Sequence, residues 1–466
     1  EGWFGATIPL VRRRRFREPK QTTMSPRRFL FLQGPHGPFF AQLGAALRGA
    51  GHAVWRVGFT AGDRVFWRGP GYIAHRSSAA DWPAHLQQVI ARHAITDVVA
   101  YGDHRGIHRV ALEHARTQGL RTHVFEEGYL RPHWISYERA GANGGSALTN
   151  VPTAALLRYQ ADTLARYDAR PRTPPPDRWG DTRQHAGYSA LYHACVAVGW
   201  GYANYVPHRG ISVWREARLT LRRVLCMPYV RLARRWATAR VIAQGQPYHL
   251  VLLQLSHDAQ FRAANPYGSQ AGLIAAITQA FATQAPRHHH LVFKAHPFED
   301  GREDLQRAIR RHTAQADLTG RIHFVQGGKL APVLDEARSA LTVNSTAGQQ
   351  VLWRGLPLCA LGPAPYRRPG LASDQTPEAF FANPIAPDPA LYDAFRAAML
   401  ATSQIPGSFY TAPGRCRVLR QITDRMLAPN DAYDRVFGPC APINADPVSQ
   451  IRPRATRTLG NVTNIR

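Results

Sequence analysis

The chain of 466 residues is 44% apolar and carries a formal net charge of +27, from 58 Lys and Arg against 31 Asp and Glu. That apolar fraction can build two or three separate cores and excludes disorder of the whole chain. A field this basic favours a polyanion: nucleic acid, anionic lipid headgroups and an acidic sugar nucleotide all qualify, but no helix-turn-helix, zinc-finger or aromatic-rich RNA-binding motif supports the first, and an anionic membrane is the better partner.

The segment 1–24 holds a basic cluster, Arg12 to Arg15 and Arg17, ahead of Met24. It reads as a disordered extension with Met24 as the natural start, or as a basic anchoring arm. It is too charged for a secretory leader, and no apolar run in the chain reaches the ~18 residues of a spanning helix, so the protein is expected to be soluble or peripheral. An apolar strand at 29–32 runs into Gly34-Pro35-His36-Gly37-Pro38, followed by an amphipathic helix at 39–51 and a strand at 53–58. This is a β-α-β start. Gly34 and Gly37 read either as a tight turn or as part of a binding loop. A strand at 96–100 ends in Tyr101-Gly102-Asp103-His104-Arg105, with His108 a turn further on. There Asp103 is a helix N-cap or a direct contact.

A strand at 122–125 opens onto Glu126-Glu127-Gly128-Tyr129-Leu130-Arg131-Pro132. Two adjacent carboxylates after a buried strand are costly unless a partner or a reaction uses them, so this segment is expected to carry the chemistry. The alternative for Glu127 is an ion pair with Arg131 or another buried Arg. From 154 to 244 the pattern turns helical, at 154–170, 188–204 and 212–244, with a Pro-rich stretch at 171–181. The last helix bears Arg215, Arg218, Arg222, Arg231, Arg234, Arg235 and Arg240 beside Trp214 and Trp236, which suits an anionic membrane contact or a solvated face.

The second half alternates strands and helices. A strand at 249–253 leads to Gln254 and Asp258. The strand 291–293 is a continuous apolar run, as in a sheet buried on both faces, and ends in Lys294-Ala295-His296-Pro297. A strand at 340–343 ends in Asn344-Ser345-Thr346, read as N-cap oxygens, before Gly348, a helix at 349–353 and a strand at 358–361. A strand end followed by a helix start is an anion site, and Gly348 would let another backbone approach. Helices are expected at 389–401 and 413–426, with a loose polar tail from 441. The expected domains are therefore 25–155, a helical insertion at 156–245, a nucleotide domain at 246–428 with crossing helices, and a tail at 429–466. Cys195, Cys226, Cys359, Cys416 and Cys440 are odd in number and lack CxxC spacing, so neither a disulfide framework nor a zinc site is indicated, and a reducing cytoplasm is the simplest compartment. No paired Asp motif calls for a metal.

Taken together, FLQGPHGPFF, Gly62-Asp63-Arg64 with Phe66-Trp67, YGDHRGIHRVA, the Glu126-Glu127 segment, Tyr205 with His208 and Arg209, KAHP and NSTAG-xx-VLWRGLPLCALG resemble the capsule polysaccharide synthesis and export family, the KpsS and KpsC type proteins, and the KpsS type in particular. The resemblance runs from about Arg28 to about Tyr366. It implies an α/β GT-B glycosyltransferase, two Rossmann-like domains facing a cleft, that takes CMP-Kdo as donor and needs no cofactor. It further implies a β-Kdo linker built on a lysophospholipid-type acceptor at the inner membrane, possible contact with other capsule proteins, and retention of configuration through a covalent intermediate. Glu127 would be the nucleophile, although KpsC type proteins carry Asp there, and Glu126 or a His the acid/base, with Arg131 gripping the Kdo carboxylate. Lys294, His296, Pro297, Asn344, Ser345, Thr346, Gly348, Gln254 and Asp258 would bind the donor. Gly34, His36, Gly37, Asp103, Arg105 and His108 would lie on the acceptor side. A non-catalytic export protein, or a transferase of another sugar, is the competing expectation.

Overall fold

A computed structural model describes residues 25–166, 181–199, 201–205, 211 and 213–438. The N-terminal extension, most of the Pro-rich stretch, His208, Arg209 and the tail from 441 lie outside those residues. The strands in chain order are β1 (Arg28–Phe31), β2 (Ala53–Gly58), β3 (Tyr72–Ala74), β4 (Asp97–Tyr101), β5 (Arg121–Glu127), β6 (Trp134–Glu138), β7 (Tyr248–Leu252), β8 (His290–Lys294), β9 (Ile322–Val325), β10 (Ser339–Thr342), β11 (Leu358–Ala360) and β12 (Gln404–Pro406).

They form two sheets. The first runs β12-β6-β5-β4-β1-β2-β3 and the second β11-β10-β7-β8-β9. The five strands of the second sheet are parallel, as are β1 to β5 of the first, each in the doubly wound order with the reversal beside its first strand. This is the expected α/β arrangement of two Rossmann-like units. Continuous apolar strands produce it: Phe29, Leu30 and Phe31 are fully buried, as are Leu291, Val292 and Phe293. The helical insertion lies between them in sequence, as Thr153–Arg166, Asp181–Val198 and Val213–Ala243.

Three strands escape the sequence reading. β3 is a half-buried edge of three residues. β6 and β12 are antiparallel additions, and β6 prolongs β5 by pairing Glu126 with Ser136 and Glu127 with Ile135. The glutamates are therefore strand residues, not loop residues. From about residue 403 the chain rejoins the first sheet through β12, and Val418, Ile422 and Met426 of the helix Ala412–Leu427 share a core with Phe29, Phe31 and Phe39. Ahead of the segment expected to be loose from 441, the helix Ala432–Phe437 buries Tyr433, whose hydroxyl donates to Glu138 at 2.9 Å.

The closure is locked at β1. Arg27, only 4% exposed, donates from Nε to Asp97 at 2.9 Å and from Nη1 to the Met426 carbonyl at 2.6 Å. Burial pushes the Asp97 carboxyl up, but hydrogen bonds from His123 and Arg27 outweigh it and hold the group well below the ordinary carboxylate range. Arg27→Ala should therefore cost about 3–5 kcal/mol at neutral pH, the usual result of stranding a buried charge. The contribution is present above the unfolded carboxyl value of about 3.9 and is lost as acid protonates Asp97. Chemical unfolding should show the deficit of the variant shrinking on acidification.

Candidate active site

Side chains of adjacent strand residues point to opposite faces, and β5 uses this to give its two glutamates different surroundings. Glu127 Oε1 accepts from the hydroxyls of Tyr101, at 3.0 Å, and Tyr410, at 2.7 Å. Burial and the Glu127 charge raise both phenols well above their ordinary value, so they stay protonated donors. The expected alternative, an ion pair with Arg131, does not form: Arg131 Nε donates to the Gly128 carbonyl at 3.2 Å. Glu126 faces the other way, into the second domain, where Gln260 Nε2 donates to it. Burial first, and then the negative charges of Asp103 and Asp258, push the Glu126 carboxyl up to about 8 against the opposing Gln260 hydrogen bond and His104. It holds a proton at neutral pH.

Both carboxyls line a cavity of about 300 Å³ with Tyr101, His104, Arg105, Arg131, Gln254, Asp258, Gln260, His296, Asn344, Ser345 and Thr346. Burial would lower His104, but its 2.5 Å bond to Asp103 and the nearby carboxylates win and raise it. Arg105 lies over the Tyr101 ring, 5.4 Å from its centroid. A larger cavity of about 610 Å³ adjoins, sharing Arg131, His296, Ser345 and Thr346, and adds Lys294, Pro297, Gly328, Gln350 and Trp353. The two spaces form one cleft between the sheets. It reaches the reversal point of the second sheet, where the ends of β7 and β10 are tied by Gln254 Nε2 donating to Asn344 Oδ1 at 2.9 Å and the Asn344 N–H returning to Gln254 Oε1 at 3.1 Å. Ligands of doubly wound sheets bind at such a crevice.

Several expected contacts serve other purposes. Asn344 is not an N-cap, because that position is Ala347, which has no side-chain cap; Ser345 Oγ accepts from the Ala347 N–H at 3.2 Å and shapes the turn. At Gly348 a Cβ would meet the Tyr366 ring and Leu358, so the glycine serves side-chain packing rather than the approach of another backbone. Lys294 lines the larger cavity, yet its ammonium donates to the carbonyls of Gly327 and Gly328, and burial with Arg234 nearby lowers it to about 8. Asp258 caps the helix Ala259–Ala264 by accepting from the Gln260 N–H at 2.9 Å, which fixes the residue that reaches Glu126.

Of the six residues expected on the acceptor side, only Arg105 lines either cavity. Asp103 is not the cap of the helix Gly106–Thr117, since Arg105 holds that place; its Oδ2 accepts from the Ala142 N–H at 2.9 Å and anchors the loop behind the cavity. His108 is fully buried, bonds the Gly102 carbonyl at 3.0 Å, and is lowered to about 3 by burial, so it is a neutral core residue. Gly34, His36 and Gly37 lie under the helix Asp181–Val198: a Cβ on Gly34 would strike Phe40, Gly37 sits against Tyr188 at a φ of +123°, and His36 stacks on Tyr192 at 4.3 Å. They line neither cavity.

The reading from sequence missed Gln260, Tyr410 and Asn143, the last of which donates from Nδ2 to Gln260 Oε1 across the domains. Gln260 stood two residues beyond Asp258; Tyr410, some 280 positions from its partner, gave no local signal. Loss of the 2.7 Å phenol bond in Tyr410→Phe should lower the turnover of the site by roughly 10- to 100-fold, as for one hydrogen bond to a charged group, with circular dichroism unchanged.

A family model described as capsule polysaccharide biosynthesis protein matches residues 96–410. The capsule polysaccharide export protein KpsS of Escherichia coli is 29% identical over 392 residues, 83% of this chain and 98% of the relative. The capsule polysaccharide modification protein LipB of Neisseria meningitidis serogroup B is 30% identical over 398 residues, 83% of this chain and 92% of the relative. Among solved structures, the Thermosulfurimonas dismutans KpsC beta Kdo 2,7 transferase aligns over 85% of this chain and 99% of its own, at 12% identity and a TM-score of 0.40. The matched segment takes in both glutamates, the Gln254–Asn344 tie and, at its end, Tyr410, and the chain belongs to the capsule polysaccharide biosynthesis family.

Proposed function

We propose that this chain is a retaining glycosyltransferase that moves Kdo, a sugar acid, from CMP-Kdo to a lysophospholipid-type acceptor and so starts the capsule linker. One observation carries the proposal: the two carboxyls at the end of β5 have different surroundings, Glu126 pushed up by burial and by Asp103 and Asp258 and Glu127 held by two phenols, and they share a cavity with Ser345, Thr346 and His296 of the other domain. Adjacent carboxyls given different surroundings can divide the roles of nucleophile and acid/base.

In the reaction Glu127 attacks the anomeric carbon while the bond to the phosphate oxygen breaks, and Glu126 gives its proton to the departing phosphate. CMP leaves. The acceptor hydroxyl then attacks from the face CMP vacated, its proton returns to Glu126, and the two inversions restore the original configuration. A CMP-linked sugar acid brings one phosphate and one carboxylate, and Arg105 and Arg131 supply two guanidiniums in the same cavity, a match in charge and in planar geometry. His296, which lines both spaces, and the Ser345-Thr346 turn would meet the phosphate.

The E. coli relative is named for export, which favours one other reading, a binding-only export protein on the same fold. Such a protein has no use for an acid held protonated beside a second carboxyl fixed by two phenols. Incubation with CMP-Kdo generated in place and a fluorescent lysophosphatidylglycerol separates the two. A slower-migrating product heavier by one Kdo is expected, and its absence with active donor present would remove the proposal in this form.

A further inference from the structure

The helix Val213–Ala243 carries eight Arg and one acidic residue, and its apolar residues are on the wrong side for a core. Trp214, Leu221, Leu225, Tyr229, Leu232 and Trp236 are between 56% and 76% exposed. At 3.6 residues per turn these six positions fall within roughly 80° of arc, one continuous stripe along most of a helix about 46 Å long. Exposed arginines border it on both sides, Arg222 and Arg240 on one and Arg231 and Arg235 on the other, with Arg218 inside it. The opposite face turns to the protein: Val241 is buried, and Met227, Val230, Arg234 and Ala237 are half-buried. No helix among the described residues is long and apolar enough to cross a membrane.

We infer that this stripe is a docking surface for an anionic lipid bilayer, with the helix lying in the plane of the headgroups. Its charge selects the occupant. An apolar band with an aromatic near each end and guanidiniums along its borders matches the boundary between acyl chains and phosphates, where the rings sit at the interface and the arginines reach outward. The surface continues into a groove of about 950 Å³ lined by Trp236, Arg240, Arg310, Ile322 and Phe324. On its inner face the helix meets the cleft, because the Arg234 side chain lies against Gly328, which lines the larger cavity and whose carbonyl accepts from Lys294. Docking therefore brings the donor cavity to the lipid surface, where an acceptor bearing an acyl chain would be found. The inference stands apart from the transfer reaction, since docking needs no donor.

Sedimentation of the full chain with vesicles, without any substrate, tests it. Wild type should pellet with phosphatidylcholine vesicles that contain phosphatidylglycerol, not with phosphatidylcholine alone, and high salt should weaken the binding. Arg218→Gln/Arg222→Gln/Arg235→Gln should raise the apparent Kd roughly 100-fold, from about 1 kcal/mol per guanidinium. Leu225→Gln/Tyr229→Gln/Trp236→Gln should abolish pelleting, with circular dichroism and the thermal midpoint as checks that the exposed substitutions leave the fold intact. Equal pelleting of the stripe variant and wild type would overturn the inference. So would equal binding to neutral vesicles, or a wild-type dimer lost in the stripe variant without any vesicle binding, which would assign the stripe to a second copy of the chain.

Discussion

Glu127→Gln is expected to abolish sugar transfer, lowering kcat by roughly 10³- to 10⁴-fold while the protein stays folded and still takes up donor. The substitution is isosteric, and the amide oxygen can still accept from Tyr101 and Tyr410, so the geometry that both phenols impose at 3.0 and 2.7 Å survives. Only the oxygen proposed as nucleophile is lost. Donor affinity, followed by quenching of intrinsic fluorescence, should change less than threefold, which distinguishes a missing nucleophile from a collapsed site. A variant that transferred Kdo at the wild-type rate would remove Glu127 from the chemistry. Trapping adds a second readout: intact mass spectrometry of wild type held with donor but no acceptor should show one Kdo attached to the protein, absent in Glu127→Gln.

How much of this was legible beforehand follows from the range of the forces involved. Long apolar runs such as Phe29 to Leu32 and Leu291 to Phe293 announce buried parallel strands, because a strand covered on both faces has no polar side. Their polar ends then mark the cleft by topology alone, and so Glu126, Glu127, His296, Ser345 and Thr346 were found. Residues whose place depends on distant partners were not. β12 is three residues long and exists because β6 offers it an edge, and Tyr410 comes to Glu127 only through that return of the chain. The same limit explains the candidates that fall outside the cleft: Gly34, His36 and Gly37 form a plausible loop until the helix Asp181–Val198 covers them, and His108 sits near a strand end but turns inward to the Gly102 carbonyl. Gln260 is intermediate, its neighbour Asp258 being readable and its reach across the cleft not.

The second large effect concerns pH. Glu126, pushed up to about 8 by burial and by Asp103 and Asp258, is protonated below that value and ionised above it. If it supplies the proton to the departing phosphate, kcat/KM should fall as pH rises through about 8, because that profile reports the free enzyme. Lys294, lowered to about 8, loses its charge in the same window, so the two must be separated by substitution. Glu126→Gln should cut the plateau rate by about 10²- to 10⁴-fold, the usual worth of general acid/base catalysis, and remove the acid's share of the basic limb. Gln260→Leu withdraws a hydrogen bond that lowers the carboxyl and should move the limb upward without removing it. A substitution of Lys294 that shifted the limb while Gln260→Leu did not would reassign it. Both activity and this contribution to stability decline as pH rises, but the substitution Glu126→Gln moves them in opposite senses. A carboxyl raised in the folded state stabilises the fold most fully below the unfolded value near 4.3, and that contribution disappears as pH rises through the folded one. At pH 9 the wild type therefore carries an ionised Glu126 in a cleft that disfavours it, while Glu126→Gln carries a neutral amide of the same shape, and the inactive variant should unfold at the higher temperature. That inversion is expected of a group whose strained state serves a reaction, and it would be absent if Glu126 were only a structural residue exposed to solvent.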